Sequence, residues 1–107
     1  MVGLNCGLPS PLAWPIVRDT VDAFLAIPDR YAEDAMRRYA RPLPGDPPIE
    51  SGESGSAGLA ALLALRDEAG LAPLAEKLGL TPQTRVLILN TEGATDPVHY
   101  RQVVGQP

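Results

Sequence analysis

Read as apolar and polar positions, the chain alternates short patterned runs with turns rich in proline, glycine and serine. Turn chemistry fills residues 3–11. Ser10 is then placed to cap a short helix that carries Pro11 at its first position and runs through Trp14, Ile16 and Val17. In residues 21–27 (VDAFLAI), Val21, Ala23, Leu25 and Ile27 alternate with a largely apolar remainder, which predicts a buried strand stopped by Pro28 and Asp29. Asp29 is an N-cap for a helix whose Tyr31, Ala32, Ala35, Met36 and Tyr39 recur on one face. Glu33 and Asp34 near its start, with Arg37, Arg38 and Arg41 near its end, follow the order that suits the helix dipole. Four prolines, Gly45 and Asp46 then predict a rigid extended connection over residues 42–48, with Ile49 and Glu50 as a very short strand.

The second half repeats the alternation. Residues 48–58 form a glycine- and serine-rich turn that opens a helix over residues 56–69, apolar on most sides and ended by Gly70. A short amphipathic helix over residues 73–78 turns Leu71, Leu74 and Leu78 inward and closes at Gly79. A turn at residues 81–84 leads into the most strand-like run of the chain, residues 85–89 (RVLIL), and a second polar turn, residues 90–97 (NTEGATDP), follows it. The order predicts an α/β fold, a partial parallel sheet with flanking helices. The two polar turns, each at the end of a buried element, are where chemistry is expected.

Composition narrows what those turns can do. With 107 residues and 45% hydrophobic content, the chain is expected to form a single α/β segment over residues 1–107, and a domain of this size buries roughly two thirds of its unfolded surface. Only 5% is aromatic, so the core must be aliphatic and alanine-rich. A formal charge of -4 without any Lys/Arg cluster argues against a nucleic-acid partner. One cysteine, Cys6, and one histidine, His99, fall short of a disulfide or a zinc site, and no run is long enough for a membrane span. Cys6 reads as a buried small hydrophobe, and the chain as cytoplasmic. The apolar start Val2, Gly3, Leu4 reads as the inside of a longer protein.

Several small constellations point in different directions. Gly52, Glu53, Ser54 and Gly55 approach a nucleophile elbow, but Ser56 stands where its last glycine belongs. Ser54, Gly55 and Ser56 at a helix start could hold an anion through backbone amides, which Glu50 and Glu53 oppose. The single lysine, Lys77, falls opposite the apolar face of its helix and reads as a surface residue. His99, beside Tyr100 and Arg101, could serve a site, but after Asp96 and Pro97 it reads first as the start of a terminal helical turn.

Taken together, GLNCGLPSPLAWPIVRDTVDAF, ESGESGSAGLAALLAL and RVLILNTEGATDPVHYRQVVG resemble the C-terminal end of the diaminopropionate ammonia-lyase family. That family is a branch of the fold-type II pyridoxal-phosphate enzymes, together with the serine and threonine dehydratases and the tryptophan synthase β-subunit. The resemblance implies a cofactor bound between two α/β domains and conversion of 2,3-diaminopropionate to pyruvate and ammonia. In the family the Schiff-base lysine and the phosphate-binding loop lie upstream of this segment, so the chain alone is expected to be inactive. By the same resemblance three residues face the cofactor. Asn90 stands where the superfamily most often places a serine against the pyridine nitrogen, Thr91 is next to it, and Glu53 holds the acidic position before the small-residue helix. The plainer reading leaves Asn90 and Thr91 to start a loop, Ser54 or Ser56 to cap a helix, and Glu53 to favour its N-terminus.

Two functions from different classes follow. One is part of a pyridoxal-phosphate lyase. The other is a non-catalytic α/β module whose apolar helix, through Leu59, Leu62 or Leu63, and open strand edges recruit another chain, giving a homo-oligomer.

Overall fold

The computed structural model describes residues 4–105, and the first residue of the expected opening turn, Gly3, lies outside them. Five α-helices are formed: α1 (Ala13–Thr20), α2 (Asp29–Ala40), α3 (Glu53–Asp67), α4 (Ala72–Lys77) and α5 (Pro97–Val104), with a 3-10 turn at Ala69–Leu71 before α4. The core is the seam between α2 and α3. Tyr31, Ala32 and Ala35 of α2 meet Ala60, Leu63 and Ala64 of α3, while Ile27, Leu59 and Leu71 pack around them. Alanines at the crossing point let the two helix backbones approach closely, and Ala35, Ala60 and Ala64 are wholly buried. A second cluster, Met36 with Val103 and Val104, seats α5 on the same helix.

The apolar face of α2 is the one its periodicity predicts. Pro28 supplies the extended residue before the helix, Asp29 its acidic first turn, and Glu33 and Asp34 both pair with Arg37 at 2.9 and 2.8 Å. Such exposed pairs contribute a few tenths of a kcal/mol each. Arg37 does more than that. Its Nε donates to the Val103 carbonyl at 3.0 Å, and Arg41 donates to that of Val104 at 2.6 Å, so two guanidiniums close the C-terminal end of α5. At the other end of the seam the Tyr31 hydroxyl donates to Glu68 at 2.9 Å, and Arg30 pairs with the same carboxylate.

The expected parallel sheet is not formed: among the described residues no strand is assigned. A strand exists only as one side of a hydrogen-bonded ladder. Among the described residues, 21–27 and 85–89 form no backbone hydrogen-bond ladder. Several of their apolar side chains are uncovered, with Phe24 62%, Leu87 88% and Leu89 72% exposed, while Ile27 and Ile88 are partly covered. Ile49 and Glu50 form no strand either; the Ile49 amide instead donates to the Tyr39 carbonyl at 2.8 Å.

Smaller departures have local causes. Ser10 does accept the Ala13 amide at 3.3 Å as a cap would, but Pro11 and Leu12 are a turn and the helix starts at Ala13. Cys6 is exposed, in an opening loop with nothing packed over it. Leu78 follows the last residue of α4 and is exposed, so only Leu71 and Leu74 of the expected inward set are partly covered. The turn at residues 81–84 is as expected, closed by Thr84 N–H to the Thr81 carbonyl at 3.0 Å, and Gly79 takes the positive φ that ends α4.

Candidate functional site

The helix α3 starts three residues earlier than its apolar run suggests, with Gly52 as its cap and Glu53, Ser54 and Gly55 already helical. The reason lies across the chain. Gly52, Gly55 and Gly58 fall about one turn apart on one face of α3, and residues 88–93 lie directly against that face. A Cβ at Gly52 would sit 2.4 Å from the Gly93 carbonyl oxygen, one at Gly55 2.1 Å from Asn90 Oδ1, and one at Gly58 2.7 Å from Ile88 Cγ2. No side chain fits at these three positions, so the missing side chains are what bring the two polar turns together.

Where they meet, a buried polar network forms. Ser51 and Ser56 are both fully buried. The Ser56 hydroxyl donates to Ser51 Oγ at 2.9 Å, and Ser51 in turn donates to Asn90 Oδ1 at 3.0 Å. The same Oδ1 accepts the Glu92 amide at 3.4 Å. Because a backbone amide can only donate, the atom facing it is fixed as the oxygen, and the Asn90 Nδ2 group makes no hydrogen bond among the described residues.

Glu92 ties the seam from the other side. Its Oε2 accepts the Ser54 amide at 3.0 Å, its Oε1 accepts the Thr95 hydroxyl, and its own carbonyl accepts the Gly52 amide at 3.2 Å. The Thr95 hydroxyl first, with the Ser54 and Gly55 amides, holds the Glu92 carboxyl below its ordinary value. The carboxylate therefore occupies the amide end of α3 where an external anion was considered. Below it Asp96 caps α5, accepting the Val98 and His99 amides at 3.1 and 3.0 Å. His99 Nε2 is buried 3.0 Å from Glu53 Oε1, an ion-pair distance without hydrogen-bond alignment, and joins α5 to the first turn of α3.

Of the three residues expected at the site, Glu53 and Asn90 lie in this seam and Thr91 lies exposed between Asn90 and Glu92. Glu53 is buried, and Asn90 is exposed at the end of its serine relay. Ser51, Glu92 and His99 complete the arrangement. Only Glu92 left a sequence signal, a carboxylate two residues past Asn90 in a turn of small residues. Lys77 is exposed on α4, as its place opposite the leucines predicts. Among the described residues no group of His, Cys, Asp and Glu could hold a metal ion, and no helix is long and apolar enough to cross a membrane.

A second feature is apolar. A groove of about 920 Å³ is lined by Leu43, Ile49, Leu59, Leu62, Leu65 and Val86, among others, with Arg38 and Arg66 at its edge.

No family model matches the chain. The diaminopropionate ammonia-lyase of Escherichia coli strain K12 is 44% identical to it over 104 residues, 97% of this chain and 26% of the relative. That of Salmonella typhimurium strain LT2 is 41% identical over 105 residues, with the same shares covered. Solved structures of the E. coli enzyme agree in backbone. The complex with D-serine and the complex with an aminoacrylate-PLP azomethine reaction intermediate each superpose with a TM-score of 0.85 at 44% identity, covering 98% of this chain and 27% of theirs. The apo form gives 0.80 at 42% identity over 91% of this chain. The chain spans about a quarter of the length of the curated relatives it matches. Agreement in sequence and backbone along almost the whole chain makes it the counterpart of one segment of diaminopropionate ammonia-lyase, and a C-terminal segment of that enzyme fits.

Proposed function

We propose that the chain is the C-terminal, cofactor-facing part of a cytoplasmic pyridoxal-phosphate-dependent lyase that converts 2,3-diaminopropionate to pyruvate and ammonia. The observation that carries this reading is the match, at 44% identity and a TM-score of 0.85, to an enzyme solved with an aminoacrylate-PLP azomethine intermediate. Bound, pyridoxal phosphate would supply the electron sink that makes loss of the substrate α-proton feasible.

The seam suits that group at one atom in particular. A pyridine nitrogen accepts a hydrogen bond, and Asn90 offers the donor half of its amide, the oxygen being already engaged by Ser51 and Glu92. A neutral donor would hold the ring without placing a full charge beside its nitrogen. Thr91 adds an exposed hydroxyl next to it, and Glu53 a carboxylate 3.0 Å from His99 Nε2. Residues 21–27 and 85–89 would pair as strands of a fold-type II sheet in the complete enzyme, which would cover Phe24, Leu87 and Leu89.

The covalent lysine is not expected within this chain. Lys77, its single lysine, stands exposed at the end of α4, away from the seam that holds Asn90 and Glu53. Mixing the chain with pyridoxal phosphate, reducing with borohydride and digesting for mass spectrometry should give no stoichiometric adduct at Lys77 and no ammonia from diaminopropionate. An adduct at Lys77 together with turnover would overturn the division of labour proposed here.

A second reading is favoured by the uncovered leucines and the apolar groove: the isolated chain acts as a module that associates with a copy of itself. Sedimentation over a wide concentration range separates the two, since a compact monomer at micromolar concentration excludes the second.

A further inference from the structure

The serine relay under Asn90 is the feature that neither the family resemblance nor the fold explains. Two hydroxyls with no solvent exposure are expensive to bury unless every donor and acceptor finds a partner. Here they are spent on one exposed side chain. Ser56 donates to Ser51 at 2.9 Å and so engages a lone pair of its oxygen, and the single Ser51 proton goes to Asn90 Oδ1 at 3.0 Å rather than to the more distant Gly52 carbonyl at 3.3 Å. Gly55 leaves the space that lets Oδ1 reach Ser51 at all, since its Cβ would lie 2.1 Å from that oxygen. If the Asn90 amide turned over, its NH2 group would face the Glu92 amide, and Ser51 would have to swing its proton to the Gly52 carbonyl in order to accept from it.

We propose that Ser51, supported by Ser56, is a positioning residue that locks the Asn90 amide with its NH2 group outward, so that the chain presents a fixed neutral donor to an acceptor nitrogen in a heteroaromatic ring. The proposal rests on the reading that Asn90 faces the cofactor ring, and it adds what sets the direction of that contact. It distinguishes this chain from one with a serine at the same place, because a hydroxyl can rotate to donate or accept whereas an amide must be held one way round.

The chain has two asparagines, Asn90 and Asn5, and Asn5 is exposed in the opening loop, so selective 15N-asparagine labelling gives one signal pair for the site and one internal control. Side-chain 15N relaxation should show Asn90 rigid and Asn5 mobile. Ser51→Ala should make Asn90 as mobile as Asn5, and Gly55→Ala, which keeps both hydroxyls but fills the space, should do the same. Adding pyridoxine 5′-phosphate at millimolar concentration should shift the Asn90 pair and not the Asn5 pair. Its 1-deaza analogue, which has carbon in place of the ring nitrogen, should not shift it. In Ser51→Ala the shift with the pyridine should be lost. If the unaltered chain shows no shift specific to the ring nitrogen, the cofactor-facing reading of Asn90 fails. If that shift appears and survives Ser51→Ala, or if Asn90 stays rigid without the hydroxyl, the positioning role of Ser51 is refuted while the reading of Asn90 stands.

Discussion

The two sides of α3 differ in how far the chain satisfies them by itself. Along the glycine-bearing side, residues 88–96 return to the helix and close nearly every polar group: Ser51, Ser54, Ser56, Asn90, Glu92 and Thr95 are all linked, and Asp96 begins the next helix. Along the leucine-bearing side, Leu59, Leu62 and Leu65 line an open groove, and residues 85–89 leave Leu87 and Leu89 in water. One side is finished and the other waits for cover. The contrast teaches that the polar seam is specified by contacts inside this segment, whereas the apolar surface is left open by them.

The widest test of that contrast is association. Burying three leucines of the open side is worth on the order of 5 kcal/mol before association costs. Leu62→Glu is therefore expected to abolish concentration-dependent sedimentation while leaving the helical circular dichroism signal intact, because Leu62 is only partly covered. Leu63 is buried in the seam with α2, although it also borders the groove. Its replacement by alanine should lower the unfolding free energy by about 3 kcal/mol in urea titrations. On the finished side, Gly58→Ala forces a methyl to within 2.7 Å of Ile88 and should cost about 2 kcal/mol, read as a lower thermal midpoint.

The smallest effect expected is a pH dependence. Glu92 has a folded-state value below its ordinary one, so its contribution is present in full above the usual carboxylate range and is lost as pH falls towards the folded-state value. Glu92→Gln removes an acceptor that caps α3 and should cost about 1 kcal/mol at neutral pH, with the difference from the unaltered chain shrinking in acid. A gap that stays constant from neutral to acid pH would show that Glu92 acts through packing and not through charge.

What was legible in the sequence follows the range of the interaction. The face of α2 could be read because Tyr31, Ala32, Ala35 and Met36 repeat at a local period, and the terminal helical turn because it starts locally, at Asp96 and Pro97. The start of α3 was not, since glycine and serine argue for a turn locally, and only Glu92, 38 residues from Ser54, supplies the cap that makes them helical. Apolar runs at residues 21–27 and 85–89 read as strands that the described residues do not form, because a run of hydrophobic residues carries no record of the neighbour a strand needs. At the site, resemblance pointed to Glu53, Asn90 and Thr91, while the contacts of Ser51 with Asn90 and of His99 with Glu53 were hidden by separations of 39 and 46 residues.

The three glycines of α3 also decide how the segment can change over time. Surface loops generally accept insertions and deletions, but residues 88–93 meet the helix at three successive points, each closer than a methyl group allows. Adding or removing one residue there would slide all three contacts out of phase at once. Descendants of this chain should therefore vary freely in the length of the proline-rich connection at residues 42–48 and hold the length of residues 88–93 fixed, with changes at position 90 accompanied by changes at 51 or 55.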